Sequence, residues 1–273
     1  MKPKNSGLAP RSSRRSMLKG TMVGATGLGA AGGLAALGVY VAQKNNVGGA
    51  HAASADLGNG VNGSTQRNFT MNPQAANAKI KTILNIAITA EELAVVFYTN
   101  VLKNANHLGF SNAGFLDIQA ALIEEQIHQI FLAKQGAKAL TNKFSFPFGN
   151  DTFRNFNHFI TVQQQMEALF VAAYLAAGKE FAMLGRPDLV QIAAQIGGVE
   201  AEHRAIGRAI GGMKPANNRA FETLLLNTVA DAPAVLTKGG FLNPRPGNMF
   251  EFRPVSVNMN GLSGRAWSDK DWS

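Results

Sequence analysis

The sequence predicts an all-α protein built on a four-helix bundle, with a long crossover between the second and third helices and an irregular C-terminal extension. Three observations carry this. Four stretches between residues 73 and 212 repeat apolar residues at spacings of three and four, the period of one helix face. Segment 141–150, between the second and third stretches, is longer than a turn between antiparallel neighbours needs. Fully extended it reaches about 33 Å, close to the roughly 30–37 Å height of a 20–25-residue helix. Residues 239–273 are rich in Gly, Pro and Asn and read as chain that wraps a bundle without regular structure.

The chain has 273 residues with 46% apolar content, enough for a sizeable core. Residues 1–55 hold seven basic residues (Lys2, Lys4, Arg11, Arg14, Arg15, Lys19, Lys44) and no acid. The remaining 19 basic residues face all 17 acids, so the +9 charge belongs mainly to this leader. No basic stripe is interleaved with aromatics, and nucleic acid is not an expected partner. The absence of cysteine excludes disulfides, thiolate zinc sites and cysteine nucleophiles.

Ser13-Arg14-Arg15-Ser16-Met17-Leu18-Lys19 resembles the twin-arginine export signal, with Met17 where Phe is usual. A Gly/Ala-rich uncharged stretch over 20–42 follows, and Ala50-His51-Ala52 and Ala53-Ser54-Ala55 are both A-x-A cleavage sites. Residues 1–55 are therefore read as a twin-arginine signal peptide. The twin-arginine machinery is an expected partner, the membrane is met only in transit, and the destination is periplasmic or extracytoplasmic. A retained anchor is the competing reading, weakened by the glycines. Residues 56–72, polar and rich in Gly, Asn and Ser, form a linker.

The bundle spans 73–212. Asn72 caps the first helix, with Pro73 in its first turn, and the helix runs to about Asn104 with the stripe Ile80, Leu84, Ala87, Glu91, Ala94, Tyr98 and Val101. The second runs from about Asn112 to Leu140 with Phe115, Ile118, Leu122, Glu125, His128 and Leu132. The third starts near Asp151 or Thr152 and reaches about Leu184, with Phe156, Ile160, Gln163, Glu167, Phe170, Tyr174, Ala177 and Phe181. The fourth starts around Pro187 and ends near Gly211-Gly212, with Leu189, Ile192, Ile196, Glu200, His203, Ile206 and Ile210. The phenylalanines of the crossover are expected to pack on the bundle surface. In the extension, 213–273, a short fifth helix is expected over Asn218–Val229.

The stripes are interrupted by acids and histidines. Glu91 and Glu167 stand alone on the first and third; Glu125 with His128, and Glu200 with His203, form E-x-x-H pairs that share one helix face. The layout repeats. Glu91 to Glu125 is 34 residues and Glu167 to Glu200 is 33, while Tyr98 and Tyr174 each follow a stripe glutamate by seven. The halves look like two copies of one helical hairpin. Four buried carboxylates without compensation are costly, and no Lys or Arg lies on the stripes. Two divalent cations would balance them. Carboxylate with imidazole suits iron, manganese or zinc. The competing reading is a metal-free, partly protonated polar network.

One Glu from each of two helices plus Glu-x-x-His from each of the other two is similar to the ligand set of the ferritin-like di-iron and di-manganese proteins. The resemblance covers roughly residues 73–212. It implies that Glu91 and Glu167 are terminal ligands on opposite sides, that Glu125 and Glu200 bridge, and that His128 and His203 each cap one metal. The implied cofactors are two divalent ions, iron first and manganese second. The leader, the Glu-to-Tyr spacing and the extension are similar to an exported branch related to plant desiccation-related proteins. The expected function is handling of dioxygen, peroxide or metal in stress protection by an oxidoreductase. A non-catalytic desiccation-protective protein with a structural metal site, and a manganese catalase, are the alternatives. Tyr98 and Tyr174 are expected either beside the ligands, in a catalytic or electron-transfer role, or as core packing. Glu92, Glu124, Glu202 and Glu180 are expected on solvated faces, and His107 and His158 in solvent or local bonds. One of Gly197, Gly198 and Gly207 is expected to let helices approach closely.

Overall fold

The structure, a computed structural model, describes residues 72–257. The leader with its twin-arginine motif and cleavage sites, residues 56–71 of the linker, and residues 258–273 lie outside the described residues. No described helix is long and apolar enough to cross a membrane.

Helix α1 (Pro73–Lys103) begins at Asn72, whose side chain accepts from the Gln74 N–H at 3.0 Å; Pro73 fills the first turn, where no N–H is needed. A single turn, α2 (Ala105–Leu108), leads to α3 (Asn112–Lys134), capped by Ser111. Helix α3 stops well short of the predicted Leu140. Gly136 takes φ 80°, and the Gly136 and Ala137 N–H groups return to the carbonyls of Ala133 and Leu132 at 2.9 and 3.1 Å, a Schellman closure. The chain then lies along α1, with the Lys138 N–H on Asn85 and the Leu140 N–H on Thr89.

Helix α4 (Phe156–Met183) starts later than Asp151 or Thr152. Residues Gly149–Phe153 form a separate 3-10 turn, and the Asn155 side chain accepts from the N–H groups of Asn157 and His158. Gly185, at φ 69°, turns the chain into α5 (Pro187–Ile210).

Pairings across the bundle give the helix directions. His128 faces Glu91 while Lys138 bonds Asn85; Tyr98 meets Glu167 while Tyr174 meets Glu91; Gln163 lies against Gly207 while Tyr174 lies against Gly197; and His128 faces Glu200 while Gly114 lies by Ile210. Rising numbers on one helix pair with falling numbers on its neighbour, so α1 is antiparallel to α3 and α4, and α5 likewise. Helices α3 and α4 are therefore parallel, and their connection must travel the height of the bundle. The crossover predicted from length is present.

Phe146 packs on Phe97 of α1, and a further layer covers it and Phe144 from outside. Phe144 and Phe146 are fully buried and only Phe148 is substantially exposed. Phe146 packs on Phe97, Phe153, Phe241 and Phe250 at ring separations of 4.9–6.2 Å. The cover is the C-terminal extension. Strand β1 (Lys143–Phe144) pairs with β2 (Phe250–Glu251), the Asn248 side chain bonds both the N–H and C=O of Phe146, and Ser145 Oγ bonds the Gly240 carbonyl at 2.6 Å. This second layer buries α1 on every side from Ile88 to Tyr98, as expected of a helix apolar nearly all round.

No fifth helix forms over Asn218–Val229. Leu225 and Leu226 are buried while Phe221 and Leu224 are exposed, so the apolar residues pair off as an irregular strap. The helix comes later, as α6 (Ala232–Lys238), behind a capping box in which Thr228 and Asp231 satisfy each other's backbone.

Candidate metal centre

Each bundle helix delivers its chemistry at mid-height. Glu91, Glu125, Glu167 and Glu200 are completely buried, His203 is buried to 1% exposure, and the His128 side chain is 12% exposed. All six residues meet in one space and form two overlapping groups. One is Glu91, Glu125, Glu200 and His128; the other is Glu125, Glu167, Glu200 and His203, and within each the facing atoms lie within 4.8 Å of one another.

Glu125 and Glu200 belong to both groups through different oxygens. His128 Nδ1 lies 3.4 Å from Glu91 Oε2, 3.5 Å from Glu200 Oε1 and 3.8 Å from Glu125 Oε2. His203 Nδ1 lies 3.0 Å from Glu125 Oε1, 3.6 Å from Glu200 Oε2 and 3.9 Å from Glu167 Oε2.

Burial first, and then the charges of neighbouring carboxylates, push Glu91 and Glu167 well above the usual carboxylate range. Burial acts on Glu125 in the same direction, but the imidazoles of His128 and His203 outweigh it and hold Glu125 low. Burial lowers both histidines, and the surrounding carboxylates more than reverse this, leaving both raised.

Protein groups do not satisfy this cluster. Both oxygens of Glu125 and Glu200, Oε2 of Glu91 and Glu167, and Nδ1 of His128 and His203 are buried without a hydrogen-bond partner. Among the described residues no Lys or Arg pairs with the four carboxylates; Arg204, beside His203 in sequence, turns to Glu222 at 3.0 Å and Asn218 at 3.1 Å. Eight converging unpartnered atoms do not fit a closed polar network, which requires each member to be bonded. They fit a donor set for borderline divalent cations.

The tyrosines settle into a crossed arrangement. Tyr98 donates to Glu167 Oε1 and Tyr174 donates to Glu91 Oε1, each reaching the glutamate of the opposite half. Burial first, then those carboxylates, raise both phenols, so both are protonated donors. Sequence spacing tied each tyrosine to a glutamate on its own helix; the antiparallel packing of α1 on α4 exchanges the partners. The Gln163 amide touches Tyr98 at 3.3 Å and the His203 carbonyl at 2.7 Å.

Three acids leave their expected solvated positions. Glu124 contacts His203 Nε2 at 2.9 Å, Glu92 is buried and accepts from Gln129, and Glu180 is buried on the Val229 N–H. Helix α1 is enclosed by the crossover, and Glu180 lies under the strap, which periodicity within one helix cannot show. Glu202 and His107 are exposed, and His158 pairs with Asp151 and stacks on Phe148. A Cβ at Gly207 would collide with the Gln163 amide, and one at Gly197 would meet Tyr174 at 3.1 Å, while Gly198 has open space. Arg204 was not singled out by sequence; its charge gave no signal that it would anchor the strap.

Residues 80–212 match the family model of the ferritin-like domain. The match supports a place for this segment in the ferritin-like superfamily and agrees with the observed all-α bundle. No curated protein and no solved structure matches the chain.

Proposed function

We propose that this ferritin-like bundle binds two divalent cations, iron ahead of manganese, and handles dioxygen or peroxide in stress protection. The observation that supports this best is the set of eight buried, unpartnered donor atoms on Glu91, Glu125, His128, Glu167, Glu200 and His203. Glu125 and Glu200 would each serve both cations, with Glu91 and Glu167 terminal and one histidine on each side. Metals so held would supply two electrons to dioxygen or peroxide, or take two from peroxide.

The chain's own residues do the rest. Tyr98 and Tyr174 hold one oxygen of each terminal carboxylate and leave the other aimed inward. Glu124 holds His203 by Nε2 so that Nδ1 faces the carboxylates. The surrounding apolar core excludes water, which strengthens every charge interaction inside. The test is elemental analysis of purified protein beside a Glu125→Ala/His203→Ala double variant. About two ions per chain in the first and none in the second is expected; no stoichiometric metal, with no uptake of added Fe(II) or Mn(II), rejects the reading. Peroxide or dioxygen consumption by loaded protein then separates turnover from a purely structural site.

Arg14 and Arg15 support export by the twin-arginine route, which carries folded proteins and would let the site be assembled before export. Changing both to Lys should retain the protein in the cytoplasm; unchanged export rejects that route.

A further inference from the structure

The six ligands form two matching sets, but what stands behind the two histidines differs. His203 has a completely buried side chain, and its Nε2 lies 2.9 Å from Glu124 Oε2. With Nε2 donating to that carboxylate, the ring is fixed in one tautomer and one orientation, and Nδ1 keeps its lone pair toward Glu125, Glu167 and Glu200. The His203 backbone is pinned too, since Gln163 donates to its carbonyl at 2.7 Å.

The other half lacks both devices. Glu124 immediately precedes Glu125; the residue in the same register before Glu200 is Val199, which has no acceptor to offer. Gln163 stands four residues before Glu167; four before Glu91 stands Ala87, which has no amide. All charged partners of His128 among the described residues, Glu91, Glu125 and Glu200, sit on Nδ1, and the ring is 12% exposed.

We infer that the two cation positions are inequivalent, and that Glu124 is the positioning residue that makes them so. The position formed by Glu125, Glu167, Glu200 and His203 fills first and holds its ion tightly. The position formed by Glu91, Glu125, Glu200 and His128 fills second and exchanges with solvent. The inference rests on the two-metal reading above and adds the order and the cause. A partner on the outer nitrogen of a ligating histidine is worth about 10–100-fold in metal affinity, which sets the scale of the difference.

The experiment is a titration of the metal-free full chain with Zn(II) against a chromophoric chelator, followed by release of bound metal into excess chelator. Two dissociation constants about 10-fold or more apart, and release in two phases, are expected. Glu124→Gln should weaken the tighter constant by roughly 10–100-fold and leave the weaker nearly unchanged. His128→Ala should remove the weaker step alone, which decides the matter even if the Glu124 variant does not fold. Two equal constants in the unmodified chain, an unchanged tighter constant in Glu124→Gln, or loss of the tighter step in His128→Ala overturns the inference while leaving the two-metal reading intact. No binding of Zn(II), Fe(II) or Mn(II) removes the two-metal reading itself.

Discussion

Tyr98 and Tyr174 stand in the same register, seven residues after Glu91 and Glu167, and each donates to the terminal carboxylate of the opposite half. Their surroundings are unlike. Beside Tyr98 lies the Gln163 amide, seated over Gly207 and tied to the His203 backbone. Beside Tyr174 lie two small apolar cavities of about 20 Å³ each, both lined by Ile83, Ala87, Tyr174 and Ala177. The register explains the contrast. Where the α4–α5 half has Gln163 and Gly207, the α1–α3 half has Ala87 and Leu132 in the matching positions. Ala87 lines both cavities and Leu132 one of them. Matching carboxylate and imidazole sets thus sit in one polar, pinned half and one apolar half. It is the packing behind these side chains that distinguishes the halves.

Emptying or filling both halves has the largest expected effect. Cations at about 1,000 times their dissociation constant add about 4 kcal/mol per site, about 8 kcal/mol for two, so loaded protein should melt roughly 20 °C above the metal-free form. The gap should widen with pH. Metal-free, the raised Glu91, Glu167, His128 and His203 bind protons that the unfolded chain has already lost. Their contribution is therefore complete in acid and is lost as pH rises above the ordinary carboxylate and histidine values. Glu125, held low, opposes this only below the ordinary carboxylate value. Metal binding runs the other way, because the ligands must shed protons. Melting curves of both forms from pH 5 to 8 check the sign; a constant gap contradicts it.

The next effect sharpens the contrast within the polar half. Gly207→Ala must displace Gln163 from Tyr98 and the His203 carbonyl, an overpacking cost of about 1–3 kcal/mol. Chemical denaturation measures it, and a neutral result would show that the Gln163 seat is not tightly packed.

Removing one phenol from each half compares them directly. Tyr98→Phe should cost more than Tyr174→Phe, since it also takes a partner from Gln163; each leaves a buried carboxyl oxygen without its donor, a loss of about 1–3 kcal/mol. Equal losses would mean that the Gln163 contact adds nothing. The smallest effect is at Gly198, where a Cβ meets open space. Gly198→Ala should stabilise by up to about 1 kcal/mol through helix propensity, measured against Gly207→Ala in the same helix.

The six-residue cluster was legible because metal-ligand chemistry and helical period act along the chain. Glu-x-x-His puts both groups on one face, and the 34- and 33-residue spacings set the faces in register. The helix starts at Pro73 and Pro187 were legible for the same local reason. What failed was non-local or hinged on a single cap. Gly136 ends α3 early because it can take a positive φ. Asn155 delays α4 by capping it. Phe144 and Phe146 are covered on their outer side by residues 240–251 of the extension, and Glu124 meets His203 because α3 packs against α5. The tyrosine exchange likewise needs two helices, and no stripe on one helix reports it.

The most direct measurement is anomalous diffraction from crystals of iron- or manganese-loaded protein at the metal edge. Two peaks are predicted, both between the carboxylates of Glu125 and Glu200, one toward Glu91 and His128 and the other toward Glu167 and His203. A single peak, or none among these six side chains in metal-saturated crystals, would contradict a two-metal centre.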